Sequence, residues 1–210
     1  ILVNGRPLGV EWAAEHLPAI VEAWAPGMYA GQAVAEILYG KVNPSAKLAI
    51  TIPRSVGQLQ MIYNHKPSQY FHPYAVKPST PLWPFGYGLS YTTYKYDDLK
   101  LSAKEVSQNQ NVEVSVKVTN TGQRDGVEIV QLYIRDKYSS VTRPVKELKD
   151  FARVALKAGE SKVVTFTITP DKLAFYDKKM KWIVEPGEFV VMAGASSADE
   201  SLLKETFILK

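Results

Sequence analysis

Cysteine is absent from all 210 residues. Disulfides, thiolate nucleophiles and cysteine-bound metals are excluded, while the redox compartment stays open. Histidine is scarce. His16, His65 and His72 are the three present, and neither their spacing nor any bracketing carboxylate pair fits a metal site, so no metal or other cofactor is expected. No apolar run approaches the ~20 residues of a membrane-crossing helix, and the first residues hold no basic stretch followed by a signal-type segment. Charge of one sign is lacking too. Twenty-five Lys and Arg stand against 21 Asp and Glu, scattered rather than gathered into a stripe, so neither nucleic acid nor a membrane surface is an expected partner.

Familiar catalytic motifs are missing as well. There is no Gly-x-Ser-x-Gly elbow and no phosphate loop. Gly86-Tyr-Gly88-Leu-Ser-Tyr91 opens like a dinucleotide fingerprint, but Tyr91 stands where the third glycine belongs and strands follow instead of a βαβ unit. Glu22, Glu36 and the Asp97-Asp98 pair are carboxylates that acid/base chemistry could use. Retaining glycoside cleavage needs two carboxyl groups ~5–5.5 Å apart across one bond, and nothing in this chain marks such a pair. Capping or surface roles are expected for all four.

What the chain does contain falls into two halves of different period. Residues 1–61 alternate strand-like runs, "ILVN", "AIVEAW" and "KLAITIP", with helical ones. That is the pattern of α/β units around a largely parallel sheet. A helix is predicted from Trp12 to His16 and another over "GQAVAEILYG", with Val34, Ile37 and Leu38 on one face and Gly40 at its C-terminal cap. From about residue 111 the period becomes two. Val112, Val114, Val116 and Val118 share a face, as do Val164, Phe166 and Ile168, and Gly- and Pro-rich turns separate the runs. At least six such runs without helices predict an antiparallel sandwich of immunoglobulin-like architecture over residues 96–210. "GVEIVQLYIRD" is apolar on both faces: Val130, Leu132 and Ile134 on one, Val127, Ile129 and Tyr133 on the other. The second face must therefore be covered by a neighbouring loop or by the rest of a larger enzyme.

Residues 62–95 connect the halves. They show no period and are rich in proline and aromatic residues, which argues for order and against a disordered linker. Within "PLWPFGYGLSYTTY", Trp83, Phe85 and Tyr87 are pinned between prolines and glycines. Such rings can stack on sugars or fill a seam between domains. The seam is expected.

"LVNGRPL", "AIVEAWAPG", "AVAEILYGKVNPSAKLAITIPRSVGQLQMIYNHKPS" and "PLWPFGYGLSYTTY" together resemble glycoside hydrolase family 3, the β-glucosidase and β-xylosidase family. "VTNTGQRDGVEIVQLYIRD", "SSVTRPVKELKDFARVALKAGES" and "MKWIVEPGEFVVMAG" resemble the fibronectin type III-like domain that ends many members. The resemblance is collinear over almost the whole chain. It implies an α/β fragment, the end of an α/β sandwich domain (residues 1–61), then a connecting segment, then a fibronectin-like β-sandwich. It further implies a retaining, exo-acting enzyme whose partners are an N-terminal TIM-like barrel with the aspartate nucleophile, the earlier part of the α/β domain with the glutamate acid/base, and a small saccharide substrate. No catalytic residue is carried over to this chain, which reads as a piece of a longer polypeptide that begins at a strand. Where members commonly have Pro-Gly-Gln-Glu-Gly-Gly, this sequence has Pro26-Gly27-Met28-Tyr29-Ala30-Gly31, so any contact made by that polar pair is lost. "KPSQYFHPY" falls where members vary and where the connecting segment can approach the sugar pocket. Tyr70, Phe71 and His72 are the substrate-contact candidates. An extracellular or periplasmic site is slightly favoured by the resemblance, and a non-catalytic carbohydrate-binding or scaffolding module is the alternative reading.

Overall fold

Alternating valines make the best-ordered part of the molecule. Val112, Val114, Val116 and Val118 are all essentially inaccessible to solvent, and the residues between them face outward. A β-branched run of period two has one dry and one wet face, and it folds by laying the dry face on another sheet. In the computed structural model, which describes residues 1–58, 61–67 and 78–210, β1 (Tyr94–Leu101), β3 (Val112–Asn120) and β6 (Ser161–Ile168) form one sheet in the order β1-β3-β6. The facing sheet has the order β2-β10-β9-β4-β5, built from β2 (Glu105–Val106), β4 (Gly126–Asp136), β5 (Glu147–Leu156), β9 (Gly187–Gly194) and β10 (Leu202–Leu209). All pairings are antiparallel except that of β2 with β10. β7 (Phe175–Tyr176) and β8 (Trp182–Ile183) make a small separate ladder.

Val130, Leu132 and Ile134 of β4 meet Val114, Val116, Phe166 and Ile168 across the interior, with the Phe189 and Phe207 rings stacked 5.4 Å apart. Each such side chain contributes about 1.5–3 kcal/mol by leaving water. The predicted sandwich is therefore present.

The first half is looser. Helices α1 (Glu11–His16) and α2 (Ala30–Leu38) stand where predicted, and Gly40 follows α2 at φ +70°, the left-handed cap position that glycine takes without a Cβ penalty. Val34 and Ile37 are half-buried, but Leu38 is exposed, against expectation. The predicted strands shrink to single bridges. Leu2 pairs in parallel with Glu22, and Ile52 pairs antiparallel with Trp83. "KLAITIP" thus joins the connecting segment instead of the parallel pair, through Leu48 and Ile52, which exchange backbone hydrogen bonds with Gly86, Tyr87, Leu82 and Trp83. Ile1, Val3 and Ile50 remain exposed. Burial is what fixes a strand's register, and in these three runs only Thr51 and Ile52 are buried.

Candidate functional site

The connecting segment is stitched to both halves. Phe85 lies flat on Tyr63 with centroids 4.2 Å apart, and Tyr63 meets Tyr133 of β4 edge-on at 5.8 Å. Together with Met192 and Leu202 they form a second apolar cluster on the outer face of the five-stranded sheet. Trp83 is half-buried and stacks on Tyr87 at 6.4 Å. The second face of β4 is covered in this way at Tyr133, while Val127 and Ile129 on the same face stay half-buried. Backbone bonds finish the seam: Ser197 N–H donates to the Phe85 carbonyl, and the Tyr63 hydroxyl accepts from Leu148 N–H. At the far end of the segment, the Thr92 hydroxyl donates to Asn120 Oδ1 at 2.6 Å, and Tyr91 donates through its hydroxyl to the Ile37 carbonyl.

Lys47 anchors a charged knot in the same seam. Its Nζ lies 3.1 Å from each Glu128 oxygen, and Tyr96 donates to Glu128 Oε1 at 2.7 Å. The Glu128 side chain is 1% exposed. Burial and the adjacent negative charge push the Tyr96 hydroxyl far above its ordinary pKa, so it stays protonated and donates. The sequence carries a signal for this knot that its apolar pattern overshadows: Glu128 shares the inward parity of Val130 and Leu132, and a buried carboxylate demands a cationic partner.

Between the two halves runs a groove of about 840 Å³. Thr51 and Arg54 wall it from the α/β side, Tyr63, His65 and Ser79–Leu82 from the connecting segment, and Lys146, Met192 and Asp199 from the sandwich. Its volume falls within the range of small-molecule sites. Its acids do not form a catalytic pair. Asp199 and Glu200 are neighbours in sequence. Burial works to raise the Asp199 carboxyl, but Lys204 at 2.8 Å and Lys146 at 3.1 Å outweigh it and hold the group below its ordinary value, ionised and unable to act as an acid. Among the described residues the groove holds no opposed carboxyls for cleaving a glycoside.

The other carboxylates weighed from sequence are engaged locally. Glu22 accepts both Asn4 Nδ2 and Trp24 N–H at 3.1 Å. Glu36 is held ionised by Lys41 and Gln32 on the outside of α2. Asp97 pairs with Lys95, and Asp98 sits at φ +54° in the β1 bulge. His16 stacks on Trp12, and the His65 carbonyl accepts Val145 N–H. Among the described residues no cluster of three potential metal ligands occurs. Tyr70, Phe71 and His72, the substrate-contact candidates, lie outside the described residues.

Residues 1–91 match the glycosyl hydrolase family 3 C-terminal domain, and residues 128–197 match the fibronectin type III-like domain. A β-xylosidase of Formosa agariphila is 45% identical over the whole chain, which spans 30% of that protein. A periplasmic β-glucosidase of Salmonella typhimurium is 43% identical over 94% of this chain and 27% of its own length. Among solved structures, a β-glucosidase of Erythrobacter marinus superposes over the whole chain and 27% of its own with a TM-score of 0.95 at 45% identity. One from Listeria innocua, in complex with gluconolactone, reaches 0.93 at 37% identity over 99% of this chain and 30% of its own. With both signatures in order on one chain, residues 1–91 carry the C-terminal domain of glycoside hydrolase family 3 and residues 128–197 the fibronectin type III-like domain.

Proposed function

We propose that this chain is the C-terminal part of a retaining, exo-acting β-glycosidase, a β-glucosidase first and a β-xylosidase next, that releases a terminal sugar from oligosaccharides or glycosides. The catalytic barrel and both catalytic carboxylates lie outside it, and the chain alone is inactive. Residues 1–61 close the α/β domain, 62–95 form the clasp and 96–210 the fibronectin-like domain. The observation that carries the reading is the chain's span of about 30% of the curated relatives it matches, together with a groove whose acids are not arranged for double displacement. Exposed apolar side chains in the first half support it. Met28 is 90% and Tyr39 89% exposed, and Val3, Trp12, Tyr29 and Val56 are exposed with them. Apolar surface on this scale marks a face that another part of a protein covers. Tyr70, Phe71 and His72 are proposed to reach the sugar in the assembled enzyme.

The test is hydrolysis of aryl β-glucosides and β-xylosides by the chain alone and by the chain joined to the remaining part of the Formosa β-xylosidase. Activity in the joined protein only is expected. Activity in the chain alone would overturn the reading. A folded but inactive joined protein would favour a binding or scaffolding module.

A further inference from the structure

β7 and β8 form a hairpin ladder that belongs to neither main sheet of the sandwich. Its two cross-strand pairs differ. Phe175, opposite Ile183, is buried beneath the Arg143 guanidinium. Tyr176 and Trp182 are paired on the other face, 57% and 52% exposed, with ring centroids 4.9 Å apart and planes tilted by 58°. Single apolar side chains on a surface are ordinary, but these two rings are a pair and are held in place. Trp182 Nε1 donates to Asp171 Oδ1 at 3.0 Å. The connecting turn is closed by Asp177, whose Oδ1 accepts the Lys179 and Lys181 N–H groups at 2.8 Å, with Met180 at φ +59°. A bulky residue keeps such a backbone conformation only where its surroundings impose it. The two rings thus make an open, preformed cleft, and a preformed site loses little conformational entropy when it binds.

The polar groups around the cleft select the ligand class. Asp171 is exposed, and its Oδ2 accepts no hydrogen bond among the described residues. Lys178, Lys179 and Lys181 are exposed and make no ion pair among the described residues, while Asp177 is engaged in the turn. A sugar ring can lay its C–H face on the aromatic rings while one of its hydroxyls donates to Asp171. The three lysines add a preference for carboxylates carried on the same polymer. A bilayer fits less well. Its lipid phosphates attract the lysines but are repelled by Asp171, and sinking the rings into it would strip water from that carboxylate. A glycan keeps its hydroxyls and its carboxylates apart along the chain, so both kinds of group can be met at once. We propose that the Tyr176–Trp182 face of the hairpin is a docking surface for an acidic glycan, a polysaccharide that carries uronic acid groups. The inference does not rest on the glycosidase reading.

The test is affinity electrophoresis of the 210-residue chain in gels that contain glucuronoxylan, the same polymer with its carboxyl groups reduced, or no polymer. Retardation by glucuronoxylan is expected, with affinity lowered at least about fivefold by carboxyl reduction and at least about tenfold by Tyr176→Ala. Gln in place of Lys178, Lys179 and Lys181 together should weaken binding as carboxyl reduction does. Gln in place of Lys95, Lys100 and Lys104, three exposed lysines on and after β1, removes the same net charge and should leave binding nearly unchanged. Absence of retardation, equal retardation by the reduced polymer, equal weakening by the two lysine triples, or binding to phosphatidylglycerol vesicles in place of the glycan would overturn the proposal. So would loss of binding when the chain is joined to the remaining part of the Formosa β-xylosidase, because the hairpin would then be covered within the enzyme. Should Tyr176→Ala disturb the core valine methyl spectrum, Tyr176→Leu replaces it, and undiminished affinity in the variant used would also overturn the proposal.

Discussion

Gly86 shows how tightly one residue of the seam is constrained. It sits at φ +80°, and a Cβ there would stand 2.0 Å from Gln131 Oε1. Gln131 donates to the Gly86 and Ala195 carbonyls and accepts from the buried Tyr133 hydroxyl. Gly86→Ala therefore strains the backbone and displaces the glutamine. A loss of about 2–4 kcal/mol in urea unfolding is expected, and a loss below about 0.5 kcal/mol would show that the turn relaxes freely. Lys47 and Glu128 make a second case. Lys47→Met strands a buried carboxylate and should cost about 3–5 kcal/mol, and adding Glu128→Gln should recover a large share of it. No recovery in the double variant would mean that Lys47 acts through packing alone. Asp136 gives a pH signature. Burial raises its carboxyl above the ordinary value of 3.8, with Arg143 only partly offsetting this. Between the ordinary and the raised value the folded state holds more protons than the unfolded one, so stability falls as pH rises through that window. Asp136→Asn should accordingly stabilise the chain by about 1 kcal/mol at pH 7, and the gain should vanish below pH ~4. Thermal unfolding at both pH values checks this, and a gain of equal size at both would contradict it.

Among the elements, the aromatic segment from Pro81 to Tyr94 does most to join the halves. Trp83 and Phe85 looked alike in the sequence, but their surroundings differ. Phe85 is stacked on Tyr63 inside the second apolar cluster, whereas Trp83 packs on Tyr87 at longer range. Phe85→Ala should cost about 3 kcal/mol and Trp83→Ala clearly less. The reverse order in chemical denaturation would mean that the clasp is centred elsewhere. The strands of the sandwich were legible because their valines repeat every two residues and bury one face. β4 even announced that its second face is covered at Tyr133. The three strands expected in residues 1–61 were not recovered as ladders, because an apolar run marks a propensity while the neighbour that completes a sheet leaves no mark in it. "KLAITIP" found its neighbour in the connecting segment, a pairing that no local pattern encodes.

At the scale of the whole molecule, the order of an α/β end, a clasp and a sandwich was readable from two periods and a collinear resemblance. The groove was not, since Thr51, Tyr63, Lys146 and Asp199 are brought together only by tertiary packing. The Lys47–Glu128 knot was hidden for the same reason, its members lying 81 positions apart. On the function proposed above, this chain shapes and supports a glycosidase without supplying its catalytic carboxylates. The most direct measurement is kcat of the assembled enzyme with each of the 21 Asp and Glu residues of this chain replaced in turn by Asn or Gln. No replacement that leaves the fold intact should lower kcat more than about tenfold, whereas a loss of about 10³-fold or more at any one position would place a catalytic carboxylate here and contradict the claim.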